Sequence, residues 1–161
     1  DPSMNVRLSA KELGIEGEVR QPLRVILDSQ LRIPSDAKIC KLEGKALLIT
    51  SSEITDKAVD CDVEKVPELD GHVDLNAVMK LLAEREVNEL HVEAGSKLGG
   101  VLIENKLVDE LVIYMAPHLM GDDARALFSL QGLSKMKDKI SLDICDVRTI
   151  GKDLRITAKF V

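Results

Sequence analysis

Aromatic residues are scarce in this chain of 161 residues, which has one Tyr, two Phe and no Trp. The core must therefore be built from aliphatic side chains, and the rings on which single-stranded nucleic acids stack are missing. Positive charge is also in deficit, because 22 Lys and Arg face 28 Asp and Glu, for a net charge of -6. This balance argues against a nucleic-acid-binding surface. An anionic small molecule would need a local cationic pocket instead.

Cysteines are few, and their spacing excludes the usual cysteine-based frameworks. Cys40, Cys61 and Cys145 are odd in number, far apart in sequence and free of any C-x-x-C motif. Neither a disulfide framework nor a zinc site is indicated, so we expect three reduced, mostly packed thiols and no metal site. The three histidines are scattered as well, and we interpret them as surface or core-edge residues rather than as metal ligands or acid-base groups.

Long hydrophobic runs are absent too. The longest apolar run, residues 111–116, is much too short to cross a bilayer, and the first residues do not resemble a signal peptide. We therefore expect a cytoplasmic protein without membrane contact. With 45% hydrophobic and 31% charged residues, the composition is that of a globular protein, and the length favours one folding unit over residues 1–161.

Apolar periodicity predicts that strands and helices alternate along most of the chain. Such alternation favours a mainly parallel sheet covered by helices, with right-handed crossovers. The predicted strands are 23–27, 46–50, 61–66, a short one around Leu90 and 110–116, and the predicted helices are 36–41 capped by Ser35, 75–86 capped by Asp74, and one that starts at Ser96.

The end of the chain has a different pattern. Residues 139–149 and 154–160 alternate between apolar and polar, and Gly151 begins a short turn that can join them as an antiparallel hairpin. This hairpin either completes the sheet or pairs with another subunit. Residues 117–132, before it, are rich in loop-forming residues.

A glycine-rich junction between the strand at Leu90 and the following helix is the most informative local feature. Gly95 and Ser96 would let an anionic group approach the unpaired amides at the helix start, and Glu93 ends the preceding strand. Gly99 and Gly100 reduce helix propensity. Only the close approach of a ligand or of a packed backbone explains two such residues in the first turns of a helix. The alternative is a glycine kept for tight turn geometry, since the full G-x-G-x-x-G fingerprint is absent.

Three segments together resemble one known family, the riboflavin-biosynthesis reductases. Residues 1–7, DPSMNVR, are similar to its D-P-x-L-T-x-R segment, and residues 25–34, VILDSQLRIP, to its V-[IV]-[LI]-D-S-x-L-R-x-P stretch. Residues 92–99, VEAGSKLG, resemble V-E-[GA]-G-x-x-L, and residues 107–117, LVDELVIYMAP, follow as they do in the family. The resemblance is strongest to the carboxyl-terminal reductase half of the bifunctional deaminase/reductase.

The resemblance implies an α/β fold of the dihydrofolate-reductase-like type, a mixed sheet flanked by helices and ending in antiparallel strands. It implies NADPH as cofactor and 5-amino-6-(5-phosphoribosylamino)uracil as substrate, whose ribosyl group is reduced to a ribityl chain. Hydride would pass from the nicotinamide to C1 of the opened sugar. The family also implies a homodimer and a covalently linked zinc deaminase domain.

The resemblance also assigns site residues, without naming a catalytic one. Ser29 is assigned to the cofactor, although Asp28 and Ser29 alone would be interpreted as a simple turn. Arg7 suits a phosphoribosyl group because its guanidinium donates paired hydrogen bonds to phosphate, whereas by itself it would be a solvated loop residue. The assigned cofactor-binding residues are Ser29, Gly95, Ser96, Lys97, Leu98, Gly99 and Gly100, and the substrate-binding residues are Met4, Arg7 and Glu93.

The chain also departs from the family pattern. Met4 and Asn5 replace Leu and Thr, and Ala94 stands where Gly is frequent. This sequence lacks two elements that precede the D-P segment in the family, an initial strand with a K-x-[AG]-x-S-x-D-G motif and the helix that follows it. It also lacks the H-x-E and P-C-x-x-C motifs of the deaminase. We therefore expect an amino-terminally incomplete domain, cut from a longer polypeptide and weak or inactive alone. The alternative is a non-catalytic nucleotide-binding or dimerisation domain of the same fold.

Overall fold

The computed structural model describes residues 2–53 and 59–161, so Asp1 of the aspartate-proline segment lies outside the described residues. The chain divides into two compact units, Asp1–Glu89 and Leu90–Val161, which are taken in turn. No helix in the described ranges is long and apolar enough to span a membrane. The first unit contains α1 (Ala10–Leu13), β1 (Arg24–Leu27), α2 (Lys38–Lys41), β2 (Ala46–Thr50), β3 (Asp62–Lys65), β4 (Glu68–Leu69), β5 (His72–Val73) and α3 (Leu75–Glu84).

The main sheet of the first unit is parallel, with the strand order β1-β2-β3. Its central strand, β2, is buried at every residue, and Leu48 and Ile49 are 0% exposed. A strand covered on both faces needs a continuous aliphatic sequence, which explains why β2 does not alternate. The three predicted strands and their parallel arrangement are confirmed, with ends that differ by at most one residue.

The first residue of β1 is a buried cation that the apolar pattern of its strand conceals. Arg24 is 1% exposed, and its Nε donates to the carbonyl oxygen of Ile39 at 2.9 Å. Nη2 donates to the carbonyls of Leu42 at 2.7 Å and Gly44 at 3.2 Å, and Nη1 donates to that of Glu43 at 2.6 Å. The guanidinium thus satisfies carbonyl groups at and beyond the end of α2, where a cation is favourable.

The two predicted helix caps of the first unit have different outcomes. Asp74 caps α3 as predicted, since its carboxylate accepts from the amide of Asn76 at 2.9 Å. Ser35 does not cap α2, which begins at Lys38 after an N-cap, Ala37, without a side-chain hydrogen bond. Residues 35–36 form a turn closed by the bond from the Ala37 amide to the Pro34 carbonyl, 3.1 Å, so the helix starts only after it.

Two short elements of the first unit were not predicted, although both have local signals. Ser9 and Glu12 form a reciprocal capping box around α1. Asp70 and Gly71 connect β4 to β5, and their φ angles of 51° and 77° match the tight turn that an Asp-Gly pair favours. Both signals consist of only a few residues without a long apolar pattern.

The second unit is built around an antiparallel sheet with the order β6-β8-β7. The predicted terminal hairpin is confirmed, and its turn begins at Gly151, where φ is +64°. The hairpin completes a sheet within its own unit, because the central strand β8 also pairs with β6. The elements are α4 (Ser96–Glu104), β6 (Glu110–Met115), a 3-10 turn (Met136–Asp138), β7 (Leu142–Ile150) and β8 (Asp153–Phe160).

Two strand predictions for this unit are wrong. Residues 87–95 form no strand, and Leu90 and Val92 are 39% and 45% exposed. The alternating order of elements predicted a parallel β6, but β6 pairs antiparallel with β8. Periodicity in a sequence indicates which face of a strand is apolar and does not identify its partner. The α/β class with a mixed set of strands is nevertheless confirmed.

Candidate cofactor-binding site

The amino terminus of α4 has an open first turn. Its N-cap, Gly95, is extended (φ -76°, ψ 170°), contributes no side-chain hydrogen bond and has no atom within 4 Å of where a Cβ would lie. Within the described ranges, no hydrogen bond reaches the amides of Ser96, Lys97 or Leu98, whereas that of Gly99 donates to the Gly95 carbonyl at 3.0 Å. Three donors at the positive end of the helix dipole thus have no partner among the described residues.

The next two glycines of α4 have a different role. A Cβ on Gly100 would lie 2.1 Å from the carbonyl oxygen of Ser129, and one on Gly99 would lie 3.1 Å from Cδ1 of Phe128. The Ser129 amide donates to the Ser96 carbonyl at 2.9 Å, which fixes this loop on the helix. Of the two explanations that the sequence left open, the structure supports a packed backbone at Gly100, while Gly99 faces the ring of Phe128. Their assignment to the cofactor stays a prediction.

Glu93 is exposed and lies just before this turn. Its Oε1 is 3.7 Å from Nε2 of His91, and the two side chains are 64% and 78% exposed. At that distance and exposure the pair is weak. The carboxylate is therefore free of any strong hydrogen bond within the described part of the chain, and its assigned contact with substrate stays a prediction.

Ser29 lies beyond the carboxyl end of β1, where ligands bind in many α/β sheets. Its Oγ accepts from the Val73 amide at 3.0 Å, and its carbonyl oxygen accepts from the hydroxyls of Thr50, Ser51 and Ser52 at 3.3, 3.2 and 2.7 Å. The hydroxyl hydrogen of Ser29 has no acceptor among the described residues. The residue thus holds its own turn and keeps one donor available for a ligand oxygen.

The preceding residue, Asp28, stabilises the turn, as the turn-forming interpretation of Asp28 and Ser29 predicts. Its carboxylate accepts from the amides of Ile33 at 2.6 Å and Gln30 at 3.3 Å. Asp28 therefore has a structural role that requires no ligand.

The two assigned substrate residues near the start of the chain lie in an extended segment that Gln21 holds in place. The Gln21 amide accepts from the Val6 nitrogen at 3.0 Å and donates to the Val6 carbonyl at 3.3 Å. Met4 has a left-handed φ of 46° and packs on the cluster formed by residues 37, 39 and 40, while Arg7 is exposed. Neither has a contact that tests its assigned role.

Asn5 is a candidate that sequence analysis missed. In the sequence it is only a departure from the family's Thr, yet its Oδ1 is buried and has no hydrogen-bond partner within the described residues. A buried polar atom without a partner is costly, so a ligand donor at this position would remove the cost. No sequence signal distinguishes this asparagine from one that is exposed.

The assigned residues are divided between the two units. Met4, Arg7 and Ser29 belong to the first, while Glu93 and the turn from Gly95 to Gly100 are contiguous in the second. Among the described residues, no group of three His, Cys, Asp or Glu side chains is arranged to hold a metal ion.

The second unit also contains an apolar cavity of about 480 Å³ that was not predicted, since its lining comes from distant parts of the sequence. It has no assigned site residue. The lining residues are Ile103, Leu111, Phe128, Leu130, Leu133, Ser134, Lys135, Met136, Lys139, Ile140, Leu142 and Phe160.

Comparison with known proteins agrees with this architecture. The chain is 34% identical over 160 residues to the riboflavin biosynthesis protein RibD of Escherichia coli, which covers 96% of this chain and 44% of the relative. It is 32% identical to the 5-amino-6-(5-phosphoribosylamino)uracil reductase of Buchnera aphidicola, over 97% of this chain and 78% of that protein. A solved structure of Acinetobacter baumannii RibD has the same fold, with a TM-score of 0.81 at 23% identity, covering 99% of this chain and 43% of that one.

The chain thus spans less than half the length of the E. coli RibD protein that it matches. A family model described as the RibD C-terminal domain matches residues 1–156. That match covers nearly the whole sequence, and the Buchnera relative supports it over most of its own length. The chain therefore belongs to the RibD C-terminal domain family.

Proposed function

We propose that this chain is a cytoplasmic, NADPH-dependent reductase domain of riboflavin biosynthesis. It would convert the ribosyl group of 5-amino-6-(5-phosphoribosylamino)uracil into the ribityl group of the product. Membership of the RibD C-terminal domain family supports the pathway, and the name of the Buchnera relative supports the reaction. We further propose that a zinc deaminase domain is linked to this chain in a longer parent protein, since the resemblance implies a bifunctional deaminase/reductase and the match covers 44% of the E. coli relative.

The observation that carries this proposal is the open first turn of α4. A dinucleotide brings a pyrophosphate that needs several donors at once, and the unpaired amides of Ser96, Lys97 and Leu98 would provide them. Gly95 adds no side chain to block the approach, and the exposed Lys97 adds a cation in a chain of negative net charge. We propose that these residues bind the pyrophosphate, while the Ser29 hydroxyl donates to a ribose or phosphate oxygen.

Bound NADPH would supply a hydride to C1 of the opened sugar. The task of the protein is then to hold the acceptor carbon against the donor and exclude water. We propose that Arg7 binds the substrate phosphate through paired hydrogen bonds, and that Glu93 accepts from a hydroxyl or amino group of the substrate. The half-buried side chain of Met4 would position the segment that carries Arg7.

The activity is tested by following NADPH oxidation with the phosphoribosylamino pyrimidine, in this chain and in the proposed longer parent protein. We expect Arg7→Ala and Glu93→Gln each to lower kcat/KM at least tenfold, since each removes a charged contact worth about 1.5–3 kcal/mol. Arg20→Ala, an exposed arginine without an assigned role, is the matched control. Turnover equal to that of the original protein in both variants would remove the site assignment.

The competing function is a nucleotide-binding module without chemistry. Calorimetric titration of NADPH, NADH and AMP separates the two, because an NADPH-dependent reductase must prefer NADPH clearly. Equal and weak binding of all three nucleotides would favour the generic module.

Pairing of two copies of the chain is a second proposal, and the edge strand β7 supports it. Leu142, Ile144, Val147 and Ile150 are 41%, 61%, 55% and 49% exposed, and β7 pairs on one side only within the described residues. A long, apolar, uncovered edge commonly pairs with another chain. Light scattering should give a dimer mass that Ile144→Lys reduces to that of a monomer, with Asp143→Lys as control. A monomer mass for the original chain would contradict the proposal.

A further inference from the structure

Two thiols outside the proposed site face each other in the first unit. Cys40, in α2, is 6% exposed, and Cys61, which precedes β3, is half-buried. Their sulfur atoms are 3.1 Å apart, within about 1 Å of the length of a disulfide bond. The spacing of these residues in the sequence predicts separate packed thiols, because nothing in it indicates that the fold brings them together.

We propose that Cys40 and Cys61 form a redox modification site, which a small disulfide such as oxidised glutathione converts into an intramolecular disulfide. The thiolate of Cys61, the more accessible of the two, attacks one sulfur of the oxidant and releases one glutathione thiol. Cys40 then attacks the Cys61 sulfur of the mixed disulfide and releases the second glutathione. Both cysteines are oxidised, one glutathione disulfide is reduced to two thiols, and the two protein protons pass to those thiols.

The surroundings of the pair make this exchange slow near neutral pH. Burial, the bond to Cys40 and the negative charges of Asp62 and Asp60 raise the pKa of the Cys61 thiol to about 12. Because only the thiolate attacks, the pair stays reduced during brief contact with oxidant and reacts on prolonged exposure.

The cross-link would fasten α2 to the start of β3. The ring that it closes, residues 40–61, contains the whole of β2, the most deeply buried strand of this unit. Since the two sulfurs are already in contact, the folded chain needs little rearrangement, and the main effect falls on the unfolded state. The expected rise in the midpoint of thermal unfolding is on the order of 10 °C.

The test is oxidation of the folded chain with excess oxidised glutathione at mildly alkaline pH, followed by acid quench, alkylation and peptide mapping by mass spectrometry. We expect a peptide pair linked through Cys40 and Cys61, and Cys145 either alkylated or carrying one glutathione. Alkylated Cys40 and Cys61, or stable glutathione adducts on either, would overturn the proposal. Dominant linkage of either residue to Cys145 would also overturn it.

Two controls separate selection by the fold from general thiol reactivity. Cys145→Ser should retain the linked peptide and the rise in the thermal midpoint, whereas Cys61→Ser should lose both. Oxidation in concentrated guanidinium chloride should give mixed linkages among the three cysteines. The same distribution of linkages in folded and unfolded chain would show that the geometry does not select the pair and would overturn the proposal.

Discussion

Gly95 and Gly100 lie five residues apart in the same turn and helix and have opposite tolerances for a side chain. A Cβ at Gly100 would be 2.1 Å from the carbonyl oxygen of Ser129, a backbone atom that cannot move without its loop. Gly100→Ala should therefore lower the free energy of unfolding by about 1–3 kcal/mol, as overpacking does. Gly95→Asn should change it by about 0.5 kcal/mol or less, because asparagine is a good N-cap. Urea denaturation measures the free energy of unfolding of each variant. Equal losses of stability in Gly100→Ala and Gly95→Asn would contradict the packing described.

The capping box of α1 should be visible in the titration of one carboxyl group. The Ser9 hydroxyl and the Ser9 amide both donate to Oε2 of Glu12, at 2.6 and 2.8 Å, and these bonds lower the pKa of Glu12. A group whose pKa is lower in the folded state favours folding above its unfolded pKa. That contribution disappears as the pH falls through the folded value.

An NMR titration of the side-chain carboxyl of Glu12 tests this. We expect a pKa below the ordinary glutamate value of 4.5, and a return toward that value in Ser9→Ala. A titration curve that Ser9→Ala leaves unchanged would contradict the capping assignment.

At the scale of elements, Arg24 joins β1 to the end of α2. Arg24→Met leaves four carbonyl groups without their donors, so the free energy of unfolding should fall by about 3–5 kcal/mol. Arg24→Lys should restore little of the stability lost in Arg24→Met, because an ammonium group lacks the planar fork that reaches several carbonyls. The exposed Arg20, changed to Met, is the control for loss of charge. Comparable denaturation midpoints for Arg24→Met and Arg20→Met would contradict this role.

Elements that depend on neighbouring residues were predictable from the sequence. The Asp74 cap and the turn at Gly151 each contain the interaction that forms them, and the continuous apolar sequence of β2 indicates a strand buried on both faces. The strand expected near Leu90 depends on a partner, and so does the direction of β6. Alternation specifies neither, because pairing brings together residues far apart in sequence.

Across the whole molecule, the sequence motifs identified the family and the glycine turn, and the structure distinguishes an open position from packed positions within that turn. Gly95 is open and Gly100 is packed, a difference set by the distant Ser129 that no local pattern contains. The buried Oδ1 of Asn5 and the contact between Cys40 and Cys61 likewise have no local sequence signal. Each depends on long-range packing. The single folding unit expected for residues 1–161 stays a prediction.

We propose above all that the first turn of α4 binds the pyrophosphate of NADPH. The most direct test is calorimetric titration of NADPH into the original chain and into Gly95→Asp and Gly95→Asn, two variants of nearly equal size that differ in charge. We expect aspartate to keep the fold stable but to weaken NADPH binding about tenfold or more relative to asparagine, because its carboxylate repels phosphate at the helix terminus. Equal NADPH affinity in the original chain and the aspartate variant would contradict it.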